Sequence, residues 1–274
     1  MTSKSTGRAP GGSAASALTA LLCAALLAGC GLPASGRPAA AEPVRSPAGP
    51  PAGGIASTAA PVVSPPPRPA AVSYPADGGG EWQVAAAEPS APRGHGRLLR
   101  YRVAVERDIR GLPVADVAAE VTRTLSGPRG WTADGELTLR RVGPGQRADF
   151  TVYLATPGTR DELCQDRPDG YTSCRNGDRV VLNVARWVKG VPGYGANLAT
   201  YRRYMINHEV GHRLGFGHER CPGRGRPAPV MQQQTLGLHG CTANADPFLD
   251  GERYHGVSGA YDDPIPSRER GRSG

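Results

Sequence analysis

Lysine is nearly absent from the chain: Lys4 and Lys189 are the only two among 32 basic residues. Aromatic residues are scarce too, at 5% of 274, with three Phe and three Trp. A chain this poor in large side chains, yet holding 38 Gly and 27 Pro, is not one evenly packed globule, so its core must be concentrated in part of its length. Beyond the first thirty positions there is no run of about 20 apolar residues, which excludes a protein with several membrane spans. No C-x-x-C pair occurs among the six cysteines, which argues against a Cys-built metal site. No internal repeat is visible. There is also no basic stripe and no recognisable nucleic-acid motif, so the formal net charge of +8 does not point to nucleic acid. The excess of Arg, Ala, Gly and Pro has the character of GC-rich coding bias. The charge is therefore mostly background, with a modest pull towards anionic cell-wall polymer or lipid head groups.

What is present begins with an export signal. Residues 1–16 are small and polar with Lys4 and Arg8 as their charges, and residues 17–28 are apolar but too short to span a bilayer comfortably. The run ends in Leu27-Ala28-Gly29-Cys30, which resembles the bacterial lipobox and implies that Cys30 is acylated. The mature chain is then expected outside the cytoplasm, lipid-anchored to the outer face of the cell membrane. Cys164, Cys174, Cys221 and Cys241 remain. An even number in an exported chain implies disulfides, and of three connectivities the sequence-local one, Cys164–Cys174 with Cys221–Cys241, is expected.

Residues 31–93 hold about half of the prolines, among Ala, Gly and Ser. Such a segment buries too little apolar surface to fold and favours extended polyproline II, so a disordered tether is expected. Trp82 is a candidate for the onset of order. One α/β domain is assigned to residues 94–262 and a disordered tail to 263–274. Within the domain, Leu99, Tyr101, Val103 and Val105 alternate as on a strand. Pro113 opens a helix to Leu125, with Val114, Val117, Ala118, Val121 and Leu125 at helical spacing. Short strands are expected at 136–142 and 149–154, and a hairpin through Asn176-Gly177 joins a possible strand near Tyr171–Cys174 to one at 179–184. A long helix over about 197–214 follows, then an irregular C-terminal subdomain. The fold class is α/β, with a small twisted mixed sheet and a long helix carrying the chemistry.

That chemistry lies in His208-Glu209-Val210-Gly211-His212-Arg213-Leu214-Gly215-Phe216-Gly217-His218. His208 and His212 are one helical turn apart, so both imidazoles project from one face and can ligate one Zn²⁺. Glu209 neighbours a ligand without being one, and its carboxylate can reach the open side of the metal. Gly215 comes where the helix must end, and a left-handed Gly there turns the chain so that His218 returns as third ligand. Three protein ligands leave a fourth position open, as in catalytic rather than structural zinc sites.

This pattern resembles that of the metzincin zinc endopeptidases, H-E-x-x-H-x-x-G-x-x-H followed by a Met-containing turn. Pro229-Val230-Met231 fits the turn, and the resemblance implies that Met231 forms a hydrophobic floor beneath the metal. Glu219 after His218 looks like the astacin-type variant. The layout of lipobox, Pro-rich tether and Met231-Gln232-Gln233-Gln234-Thr235 is similar to an uncharacterised actinobacterial group of zincin-like lipoproteins. The resemblance implies one Zn²⁺ and a water that loses its proton to Glu209 and attacks an amide carbonyl, with Glu209 then protonating the leaving amine. It also implies a substrate lying extended along an edge strand, here the segment near Tyr171–Cys174. Several metzincins carry a Tyr two residues after the Met; this chain has Gln233, and His239, Tyr254 and His255 are alternatives by residue type alone.

The leading expectation is a monomeric, envelope-anchored zinc endopeptidase acting on a peptide or protein outside the cell, active on export, with no nucleic-acid partner. The alternatives are a zinc-containing binding or adhesion lipoprotein without turnover, and an amidase acting on cell-wall peptides through the same site.

Overall fold

The computed structural model describes residues 71–89 and 95–274. The expected signal peptide, Cys30 and most of the expected tether fall outside them. The protein is a mixed α/β structure built on a six-stranded mixed sheet: β1 (Trp82–Val84), β2 (Arg97–Glu106), β3 (Leu137–Arg141), β4 (Phe150–Ala155), β5 (Cys174–Asn176) and β6 (Arg179–Asn183). The order is β1-β2-β4-β6-β5, with β3 also pairing β2. The β2/β3, β2/β4 and β4/β6 pairs are parallel, and β1/β2 and β5/β6 antiparallel. Register places Tyr101 beside Phe150, Val103 beside Val152, and Val152 beside Val180, so the apolar alternation read along β2 continues across the sheet.

Helices α1 (Val114–Leu125) and α4 (Leu198–Arg213) pack against that face and against each other. Val117, Val121 and Leu125 meet Tyr201, Met205 and Ile206 in one core with the strand residues. Proline at the position before α1 and the Asn197 side chain, which accepts from Thr200 N at the start of α4, set the two helix entries. The opposite face carries a smaller cluster of Ala155, Val181 and Cys164 under α2 (Pro157–Cys164). A short helix, α3 (Val184–Lys189), capped by the Asn183 side chain, follows β6 directly. Past α4 the chain is irregular except for a small hairpin, β7 (Phe248–Leu249) with β8 (Glu252–Arg253). Both expected disulfides, Cys164–Cys174 and Cys221–Cys241, are formed. Among the described residues no helix is long and apolar enough to cross a membrane.

Two assigned boundaries need correction. Residues 71–89 are not tether but part of the domain: Tyr74 is buried, Trp82 meets Tyr153 edge-on at 4.6 Å, and Ala85 N donates to Val103 O. Nor is 263–274 a free tail, because Tyr74 and Arg272 exchange backbone hydrogen bonds of 2.9 and 2.7 Å. Pro-rich composition hid both, because a few large side chains and one shared backbone ladder suffice to dock such a segment. Residues Tyr171–Ser173 are not a strand either. The N–H groups of Tyr171 and Thr172 donate to Asp169 Oδ1, so the chain turns there and β5 starts only at Cys174.

Candidate metal centre

Helix α4 ends at Arg213, and Leu214 caps it. Gly215 has φ +103°, a conformation that disfavours side chains, and Phe216 N returns to donate to Gly211 O at 3.0 Å. This turn carries His218 back beneath the helix. His212 Nε2 lies 3.2 Å from His208 Nε2 and 3.1 Å from His218 Nε2, so the three expected ligands converge as a cluster able to hold a metal ion.

The other ring nitrogens decide which tautomers are present. His208 Nδ1 lies 2.8 Å from Val230 O, and His212 Nδ1 lies 2.9 Å from Phe216 O. A carbonyl only accepts, so both Nδ1 atoms carry the proton and both Nε2 atoms present lone pairs to the centre of the cluster. Burial, and after it the neighbouring imidazoles, hold His208 well below the ordinary histidine range. Burial also lowers His212, and lowers His218 to about 4. Neutral imidazoles with lone pairs aimed at one point are a donor set for a cation.

Met231 is fully buried and follows Val230, whose carbonyl meets His208. A Cβ built on Gly211 would collide with Met231 Sδ and stand 2.7 Å from Trp131 Cζ2, so the helix face between the two ligands is pressed onto the methionine and the indole. The turn bearing Met231 is tied to α4 by Tyr204 OH, which donates to Gln232 O at 3.1 Å, and by Tyr201 OH, 3.0 Å from Thr235 Oγ1. Trp131 Nε1 donates to Asn207 O, and its ring stacks on Phe216 at 4.8 Å.

Glu209 is buried, and its Oε2 has no hydrogen-bond partner among the described residues. Burial pushes its carboxyl up to about 8, against the opposing pull of Arg160. The carboxylate faces a cleft of about 380 Å³ together with His212, His218, Gln233 and residues of β5. β5 is an edge of the sheet, so one side of its backbone is unpaired there.

Residues 68–253 match the family described as "Protein of unknown function (DUF3152)". The chain belongs to that family. No curated protein matches it, and no solved structure does. The DUF3152 match takes in the whole His cluster, Glu209, Met231 and both disulfides.

Other expected residues find different places. Within the DUF3152 region, Glu219 accepts from Arg253 Nη2 at 2.7 Å and from Gly256 N, fastening the segment after His218. His239 meets Asp263 Oδ2 at 2.8 Å, and Tyr254 OH donates to Pro227 O; neither lines the cleft, nor does His255. Arg160 went unnoticed in the sequence. It is buried in α2, lines the cleft, and binds Asp161, Asp166 and Thr172, with Asp169 at 3.5 Å. The helix around it has too little apolar periodicity to stand out. Gly211, an unspecified position of the motif, was overlooked because only the packing of Met231 and Trp131 reveals its role.

Proposed function

We propose that the protein is a zinc-dependent hydrolase of peptide bonds, with His208, His212 and His218 as ligands and Glu209 as general base. The convergence of three Nε2 atoms, those of His208 and His212 with their lone pairs free, beside a buried carboxylate carries this reading. Zinc–nitrogen bonds of about 2.0–2.1 Å place tetrahedral ligands roughly 3.3 Å apart, close to the observed separations. Bound zinc would supply Lewis acidity, making water acidic near neutral pH and polarising a carbonyl oxygen. The chain's own residues do the rest. Val230 and Phe216 carbonyls fix the rings, and Met231 and Trp131 pack on the ligand-bearing helix at Gly211. Glu209 takes a proton and returns it to the leaving nitrogen; burial raises its carboxyl, and the charge of a bound zinc would lower it again towards the ionised form a base needs. The unpaired edge of β5 offers backbone groups to an extended substrate. The metzincin-like motif, an export signal ending at Cys30, and a place in the cell envelope belong to the same proposal.

Metal analysis and cleavage assays test it together. The full chain is expected to hold close to one zinc, His212→Ala much less, and Glu209→Gln as much as the parent. Peptide-library cleavage should fall about 10²–10⁴-fold in Glu209→Gln. A folded parent that takes up no zinc, or a Glu209→Gln variant as active as the parent, would overturn the reading. Zinc retention without any Glu209-dependent cleavage would favour a binding protein instead.

A further inference from the structure

The segment after Tyr261 is fastened at both ends. On one side Asp263 is hydrogen-bonded to His239, whose ring stacks on Tyr261 at 3.5 Å, and His239 belongs to the loop that follows Met231. On the other, Glu269 pairs with Arg186 and with Lys189 Nζ at 2.7 Å, and its N–H donates to Gly170 O. Arg268 pairs with Asp77. Between these anchors Pro264-Ile265-Pro266 crosses from the Met231 side of the metal cleft to the loop that precedes β5.

Ile265 is 46% exposed, one of two large apolar side chains so exposed among the described residues, and it lines the metal cleft. It also lines a second, solvent-open cavity of about 520 Å³ between this segment and Arg167–Asp169. Arg167 and Asp169, like Ile265, border both cavities, so the two adjoin. An inhibitory segment would bury its side chain in the cleft. Ile265 stands half open beside it, so the segment is a wall and not a plug. Prolines on both sides stiffen the wall and remove two N–H groups, so it offers a substrate side-chain contact and no ladder. The second cavity is lined mainly by charged residues, so the apolar contact offered to a side chain is Ile265 itself, on the metal-cleft side where Leu236 also lies.

We propose that the C-terminal segment builds a distal subsite of the substrate groove, in which Ile265 receives an aliphatic side chain of an extended peptide, several residues from the bond cleaved. This rests on the peptide-hydrolase reading of the metal centre and adds to it the residue that selects the substrate.

The test uses the full chain, with Ile265→Ala, Ile265→Arg and a triple Pro264/Ile265/Pro266→Gly variant, and a library of peptides varied one position at a time. In the parent, one substrate position several residues from the cleaved bond should prefer Leu over Ala. That ratio of kcat/KM should drop about tenfold in Ile265→Ala and in the triple variant, and Ile265→Arg should turn the same position towards Asp or Glu. A loss of stability would lower cleavage of all peptides alike and could not create an acidic preference. Unchanged preferences in all three variants would overturn the subsite while leaving the hydrolase reading intact. If the parent cleaves nothing, the same peptides are scored for binding to Glu209→Gln. Leu selection that Ile265→Arg reverses would retain the groove, and binding indifferent to residue 265 would end it.

Discussion

Glu209 Oε2 is a buried acceptor with no donor among the described residues, and Gly211 is a glycine with no room for a methyl group; the two stand two residues apart on α4. The first is an uncompensated cost unless a ligand meets it. The second shows that the helix approaches the methionine turn as closely as a backbone can. Alanine at 211 gains helix propensity but forces Met231 Sδ and Trp131 aside, and overpacking costs more than propensity returns. Gly211→Ala is therefore expected to lose about 1–2 kcal/mol in chemical denaturation and to weaken metal retention, because Val230, which orients His208, moves with Met231. An alanine variant as stable as the parent and with the parent's zinc affinity would show that the methionine turn is free to retreat.

At the scale of elements, the cleft wall is a short edge strand that cannot hold itself. β5 has three residues and pairs on one side only. It is secured by the Cys164–Cys174 disulfide to the end of α2, and the loop between is gathered by Arg160 on Asp161, Asp166 and Thr172. A bridge closing so short a loop contributes about 2–4 kcal/mol through loop-closure entropy. Replacing both cysteines by serine should lower the unfolding free energy by that amount, read from the shift of the denaturation midpoint. Hydrogen exchange should speed up at 174–176 far more than in β2 or β4, which lie inside the sheet. Equal acceleration throughout the sheet would mean that the bridge stabilises the whole domain rather than its edge.

For the whole molecule, the three imidazoles join α4, the Gly215 turn and the irregular C-terminal part, so metal occupancy and global stability are linked. A metal present at a hundred times its dissociation constant stabilises the folded state by about 2.7 kcal/mol. In a domain of this size that corresponds to roughly 5–10 °C of melting temperature. Chelation should lower Tm by about that much, and re-added zinc should restore it. Chelation without effect on the parent, with His212→Ala melting at the same temperature, would separate the cluster from the fold.

Periodicity exposed β2 and α1, and the burial of Val103 and Val121 follows from that pattern, whereas α4 is buried all round from Tyr204 to Gly211 and was marked by the ligand motif it carries. The ligand spacing and the Gly215 turn were legible for a similar reason: helix geometry and left-handed backbone are local, and a few residues determine them. β1, α2 and the docked C-terminal segment were not, because their stability comes from partners far away in the chain, such as Tyr153 for Trp82 and Tyr74 for Arg272. The sequence by itself determined which side chains can share a metal, since that depends on turns within eleven residues. Only the tertiary structure decided what surrounds them: the Val230 carbonyl behind His208, Arg160 in the cleft and Ile265 at its rim, all brought there by packing and ion pairs between segments that no local pattern connects.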